Sequence, residues 1–312
     1  LVRYDKDLRA GKDPGMRRLF YALPIHSQFV LLAFILQQDN ESVKQLLDTQ
    51  LGLEANGGID SILFVLKQPP WDRTKDQEFF WGARGVVRDF LNRLHKIALA
   101  PIRISRRVEA TLWNKMARGF RYLYVKDLSS LRELVGDQSP SQFFRHVEST
   151  YVSELIDEVR IRVKLRKNDG TVTFRELSEG EQQLLTVLGL LRFTAEDESL
   201  FLLDEPDTHL NPKWCVDYLR HLSNFVGGSE KERNTSHIVM TTHNPLAVAE
   251  LVKGQVQILQ RDQDSLKIRA VLPEIDPRGM GYSGIVTSDM FGLAAALDTH
   301  TRDLLEEKRG LA

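Results

Sequence analysis

Asp204 and Glu205 stand side by side at the end of the apolar run Phe201-Leu-Leu203. Such a run suits a central parallel strand, and acids at its carboxyl end fall where open α/β sheets bind their ligands. Two adjacent carboxylates at the mouth of a buried strand are costly without a purpose; capping of the next turn is the plainer alternative. A second group is Ser178-Glu-Gly-Glu181. Ser178 and Glu181 have capping-box spacing, while Gly180 removes a side chain from the first turn and leaves amides and the positive helix end open to an approaching phosphate. A third is Thr241-Thr-His243, which follows the apolar run 237–240 and lies beside the acids if the two strands are neighbours. Asn244 and Pro245 read as an N-cap and first-turn proline, roles that leave His243 unexplained. No G-x-x-x-x-G-K-[ST] phosphate loop occurs in the 312 residues.

The elements that must position these groups are legible in the periodicity. Val159, Ile161, Val163 and Leu165 alternate with Arg160, Arg162, Lys164 and Arg166, and Asn168-Asp-Gly170 turns the chain into 171–174, a hairpin pattern. It leads directly into a helix predicted over 180–193. Then come a buried strand at 200–203, a helix over 212–225, a buried strand at 237–240 and a helix from 245, an α/β rhythm. An edge hairpin (255–259 with 266–271), a Gly-rich loop through 277–284 and a last helix near 299–308 follow. Upstream, residues 19–36 read as a short strand, a proline turn and an apolar helix. The stretch from Asp39 to about Gln138 reads as mostly helical, broken at Gly57-Gly58 and Pro69-Pro70.

Composition narrows the class. With 42% hydrophobic and 27% charged residues, 312 residues bury a core of one large or two ordinary domains. A net charge of -1 gives no whole-molecule attraction to nucleic acid or membrane, so such binding requires a local patch. Two basic stretches qualify: Arg103, Arg106, Arg107, Lys115, Arg118, Arg121 and Lys126 interleaved with Trp113, Phe120, Tyr122 and Tyr124, and the Arg160 to Arg166 strand. Each suits phosphates and stacking, or equally a solvated face. The lone Cys215 forms no internal disulfide, and the longest apolar run, 29–36, is too short to span a bilayer; cytoplasm without a membrane partner is the expectation.

The strings Leu177 to Gln183, Leu200 to Pro212 and Thr241 to Pro245 resemble the signature, Walker B with D-loop, and switch-histidine motifs of ABC-type ATPases, in that order. The D-E-P-x-x-H-L-x-P form resembles the overcoming-lysogenization-defect and RecF-like branch. Residues 20–36 and 283–293 look similar to anti-phage ATPases, the Septu type above all. The fold implied is an α/β ABC-type ATPase head, a parallel sheet flanked by helices, with a helical insertion and an edge hairpin. Its parts would be 1–38 (remainder of lobe I), 39–154 (helical insertion) and 155–312 (lobe II).

The same resemblance implies ATP and Mg²⁺ as ligands. Asp204 would hold the ion through its water shell, and Glu205 would orient and deprotonate the attacking water, with His243 sensing the γ-phosphate. Ser178, Gly180, Glu181 and Gln182 would contact nucleotide held by an opposite subunit, and Asp207 would belong to the interface-crossing D-loop. Partners implied are a second copy, a separate HNH-type nuclease and possibly DNA or RNA. A RecF- or SMC-like repair ATPase and a non-hydrolysing ATP-bound scaffold are the other readings. The missing phosphate loop is expected upstream of Leu1.

Overall fold

The computed structural model describes residues 20–37, 39–54, 58–70, 80–111, 114–166, 171–195, 198–226, 236–261, 267–293 and 295–310, without the side chains of 109–111 and 114–116. The chain forms two compact units: Leu1–Ser199 with Phe225–Ser236, and Leu200–Asn224 with His237–Ala312.

The first unit is organised around α1 (His26–Ile35), all ten of whose residues are buried. After its polar first turn of His26, Ser27 and Gln28 it is apolar on every side, the pattern of a helix inside a core. Its entry turn is closed by Ser27 Oγ donating to the Pro24 carbonyl at 2.6 Å, but residues 20–23 form no strand, against expectation. Short α2 (Glu41–Gln45), capped by Asn40, runs into a π-helical turn at Leu46–Gln50.

The stretch expected to be mostly helical instead contributes three of the five strands of an antiparallel sheet. These are β1 (Ile59–Lys67), β2 (Leu99–Thr111) and β3 (Asn114–Val125), with α3 (Gly85–Ile97), α4 (Leu128–Val135) and α5 (Pro140–Val152) between and after them. β4 (Ile156–Lys164) and β5 (Thr171–Thr173) complete the order β2-β3-β1-β4-β5. The physical reason lies in period-two burial: Arg121, Leu123 and Val125 are buried while Tyr124 between them is exposed. The sheet therefore runs across residue 154, with Phe64 of β1 opposite both Leu123 of β3 and Val159 of β4. The turn expected at 168–170 and Trp113 lie outside the described residues.

Aromatic contacts fasten one face of this sheet to helices: Phe64 meets Phe90 of α3 at 6.2 Å between ring centroids, and Phe90 meets Phe143 of α5. Arg121, buried on this same face, lies over the rings of Phe80 and Trp81 at 4.6 and 5.2 Å. The long helix α6 (Glu179–Thr194) packs on α1, where Gly189 faces Val30 and Phe193 meets Phe34 at 5.2 Å.

The second unit holds β6 (Leu200–Asp204) and β7 (His237–Thr241), parallel and in register, with α7 (Pro212–Val226) connecting them. Next come α8 (Pro245–Val248), the hairpin of β8 (Ile258–Arg261) and β9 (Ile268–Val271), α9 (Gly281–Thr287) where a loop was expected, and α10 (Thr299–Gly310). β6 and β7 were expected to be buried, yet Leu200, Leu202 and Val239 are 61%, 72% and 46% exposed on one shared face. Parallel strands bury both faces only under helices and further strands, and among the described residues no other strand pairs with these two. No described helix is long and apolar enough to cross a membrane.

Candidate functional site

The register of β6 and β7 sets Asp204 opposite Thr241, so the strand-end acids and the Thr-Thr-His string meet as their positions suggested. Thr241 Oγ1 donates to Asp204 Oδ1 at 2.6 Å. The chain then turns sharply. Glu205 has φ +42°, a left-handed conformation that a glutamate rarely adopts and that costs of order 1–3 kcal/mol. It is held by its own amide, which donates to both the carbonyl and the hydroxyl of Thr241, each at 3.1 Å. Sequence reasoning missed this strain, because no residue type other than Gly or Asn advertises a positive φ.

The turn aims the Glu205 carboxylate at His243. Glu205 Oε1 lies 3.3 Å from His243 Nε2, and Thr208 Oγ1 donates to Oε2 at 3.1 Å. His243 is 91% exposed at its side chain and Glu205 45%, so the pair is open to an incoming ligand. A carboxylate oriented through both oxygens and next to an imidazole is equipped to position and deprotonate a water.

Beneath the pair is a set of buried polar ties. Asp207 is 2% exposed and accepts from Thr242 Oγ1 at 2.9 Å, while Thr242 Oγ1 also accepts from the Asn244 amide at 2.9 Å. Asn244 in turn caps α8 by accepting from the Leu246 amide. Burial pushes the Cys215 thiol up from its ordinary range, against a lowering hydrogen bond with Asn244, so it packs as a neutral group. Burial, and after it the Asp207 charge, likewise raise Tyr218. Asp207 was expected at a nucleotide-bearing interface; in this conformation its side chain is turned inward and fixes the loop between Glu205 and the β7 end.

The remaining expected site residues lie in the first unit. Ser178 N-caps α6 in a full capping box: its amide and hydroxyl both donate to Glu181 Oε2, at 2.7 and 2.9 Å, and its Oγ accepts from the Glu181 amide. Gln182 donates to the Leu177 carbonyl at 2.8 Å. Ser178 and Glu179 are exposed, but Gly180 is buried, which corrects the expectation that its amide stands open to a phosphate. An anion reaching this helix end would meet Ser178 first and would displace the Glu181 carboxylate.

Magnesium needs no all-protein cage: it keeps several waters and takes one or two carboxylates plus substrate phosphates. Among the described residues no group of three His, Cys, Asp or Glu could hold a metal ion. Asp204, exposed and tied to Thr241 through Oδ1, leaves its other oxygen available to the water shell of such an ion.

Paired acids after a parallel strand, a strained turn and an adjacent imidazole thus meet at one end of the β6–β7 pair. The chain belongs to the AAA domain family described as putative AbiEii toxin, type IV TA system, which matches residues 62–249. It is similar to the Septu protein PtuA of Bacillus mycoides, 26% identical over 158 residues, covering 47% of this chain and 21% of that one. It is also similar to the retron Vc95 probable ATPase of Vibrio cholerae, 24% identical over 151 residues, covering 43% and 27%. The chain thus spans well under half the length of these two relatives. A solved structure described under ATP-driven dimerization and DNA-stimulated activation of SMC ATPases aligns over 72% of this chain and 91% of that one, at 14% identity and a TM-score of 0.26, a likeness too remote to bear on the site.

Proposed function

We propose that this chain is the ATP-binding and hydrolysing part of a prokaryotic anti-phage defence complex, closing into a head-to-head dimer on Mg·ATP and thereby controlling an associated nuclease of the HNH type. The observation that carries the reading is the Asp204-Glu205 turn: a strained glutamate held at φ +42° with its carboxylate 3.3 Å from His243. In this reading Asp204 holds the magnesium ion through water, and the ion neutralises phosphate charge when bound. Glu205 orients the attacking water and takes its proton. His243, whose Nε2 lies 3.3 Å from Glu205 Oε1 in the open site, turns that nitrogen to the γ-phosphate. Ser178 of one copy faces the nucleotide of the other, releasing Glu181 as the phosphate arrives.

The reading needs a phosphate loop, which these 312 residues do not contain. The open face of Leu200, Leu202 and Val239 supports a place for it. A parallel sheet must be covered there, and a lobe bearing the loop, from the same polypeptide or a partner, is the cover that fits. Similarity to a Septu protein and to a retron ATPase supports the defence context, and the relatives' greater length leaves room for such a lobe and for an effector-binding region.

Light scattering on the native polypeptide tests the dimer. The mass is expected to double on adding Mg·ATP and to stay unchanged with Ser178→Arg, whose side chain fills the place of the γ-phosphate. A wild-type mass indifferent to nucleotide contradicts the proposal.

A further inference from the structure

Strand pairing brings Arg106 and Arg118 of the first basic stretch and Arg160, Arg162 and Lys164 of the second, well apart in sequence, onto one face of the first unit's sheet. Tyr124 of β3 lies opposite Leu63 of β1, which lies opposite Arg160 of β4; one step along, Ile102 of β2, Tyr122, Val65 and Glu158 form the next row. These residues alternate with Phe64, Leu123 and Val159, whose side chains point to the helices, so they occupy the opposite face. Between its borders it is apolar and aromatic: Ile102 on the edge strand is 56% and Tyr124 40% exposed, while Val65 and Phe120 beside them are buried. On one side it is bordered by Arg106 and Arg118, on the other by Arg160, Arg162 and Lys164.

The electrostatics of this face favour an anion. Arg106 and Arg118 are directly opposed on β2 and β3, a like-charge pairing that destabilises a sheet unless something offsets it. Arg106 lies over Phe120 and Tyr122, at 5.5 and 5.2 Å from the ring centroids, which holds its guanidinium as an extension of the aromatic strip. On the far border Glu158 takes Arg160 and Arg175, each at 2.8 Å, and Asp60 reaches Arg162 at 3.9 Å; the Arg160 and Arg162 side chains remain 57% and 56% exposed. Basic groups outnumber acids here in a chain whose net charge is -1. The described residues of the β2–β3 ribbon between 105 and 118 pair with no other strand, so the Arg106 border continues beyond the edge of β1.

We propose that this face binds single-stranded nucleic acid, with bases stacking on Tyr124, Tyr122 and the Arg106 plane and phosphates running along the two basic borders. A duplex hides its bases and would use only the borders; exposed rings set between them are what a single strand uses. The ATP site plays no part in this binding, which is measured without nucleotide, so its failure would leave the ATPase reading standing.

Fluorescence anisotropy on the native polypeptide tests it at low salt, using labelled oligothymidine and oligouridine of about 20 nucleotides, long enough for one site, and a duplex of the same length. Binding to either single strand in preference to duplex is expected, and the ratio of the two identifies the favoured sugar. Arg160→Glu with Arg162→Glu should weaken binding by about ten-fold or more and make it less steeply dependent on salt, since the slope falls by about 0.7 for each phosphate left without its cation. Tyr124→Ala should weaken it by about five-fold or more, and Tyr124→Phe, which keeps the ring, should not. Lys213→Glu, on α7, is the control and should leave affinity unchanged. The proposal is overturned if the wild type binds no single strand, if it prefers duplex, or if both the charge-reversal and Tyr124→Ala variants, folded by circular dichroism, bind as the wild type does.

Discussion

Glu205→Gln is expected to lower steady-state phosphate release by about a hundred-fold or more while leaving Mg·ATP bound, because removal of a positioned general base typically costs that much. Gln is the informative replacement. It keeps the size of the side chain and an oxygen for Thr208, so the turn at φ +42° and its hydrogen bonds to Thr241 persist. What it loses is the capacity to take a proton. His243→Ala removes the neighbour at 3.3 Å rather than the base, and should cost less. The check is phosphate release alongside nucleotide affinity in the native polypeptide. Wild-type turnover in Glu205→Gln would remove Glu205 from the chemistry.

The largest expected effect on stability comes from a residue with no chemistry. A Cβ built on Gly189 of α6 would meet Val30 of α1 at 2.0 Å from Cγ1, 2.6 Å from Cγ2 and 2.8 Å from Cβ. Val30 is fully buried within a helix that is itself buried all round, so it has nowhere to turn. Gly189→Ala therefore sets two effects against each other. Alanine in a helix interior gains about 1 kcal/mol over glycine, whereas forcing two packed helices apart costs about 1–3 kcal/mol, with the higher end expected for an overlap this deep. The clash should win by up to about 2 kcal/mol, lowering Tm by up to about 3 °C for 312 residues at ~2.1 cal/mol/K of unfolding entropy each. Val30→Ala alone should also destabilise, by leaving a cavity, but the double variant should be more stable than the sum of the two predicts. Equal or higher Tm in Gly189→Ala would show that α1 and α6 do not approach as described.

The elements around the candidate site were legible because their signals are short-range. The capping box at Ser178 and Glu181, the strand-end acids and the Asn244-Pro245 start of α8 each follow from a few neighbouring residues, and each is found in place. The β2–β3 ribbon was not legible. Its arginines fall on both faces, Arg103 and Arg121 on one and Arg106 and Arg118 on the other, so polar and apolar residues do not separate at period two until Phe120 to Val125. That masks a strand as a charged helix. Nor does the chain's local pattern reveal that Gly180 is buried, that Asp207 turns inward to Thr242, or that one face of β6 and β7 is open. Those depend on what packs from elsewhere.

The composite character of the proposed ATP site is tested most directly by mixing two inactive variants. Glu205→Gln and Ser178→Arg each disable a different half. If each site pairs the acids of one copy with the Ser178 of the other, a mixed dimer carries one doubly damaged site and one intact site. Phosphate release in an equal mixture should then rise above that of either variant alone, to at most about a quarter of the wild-type rate, the value for random pairing in which half of the dimers are mixed and each has one working site of two, because Ser178→Arg hinders closure at the damaged site. If Ser178 and Glu205 serve the same site within one copy, the mixture stays as inactive as its components, and that result would contradict the composite site.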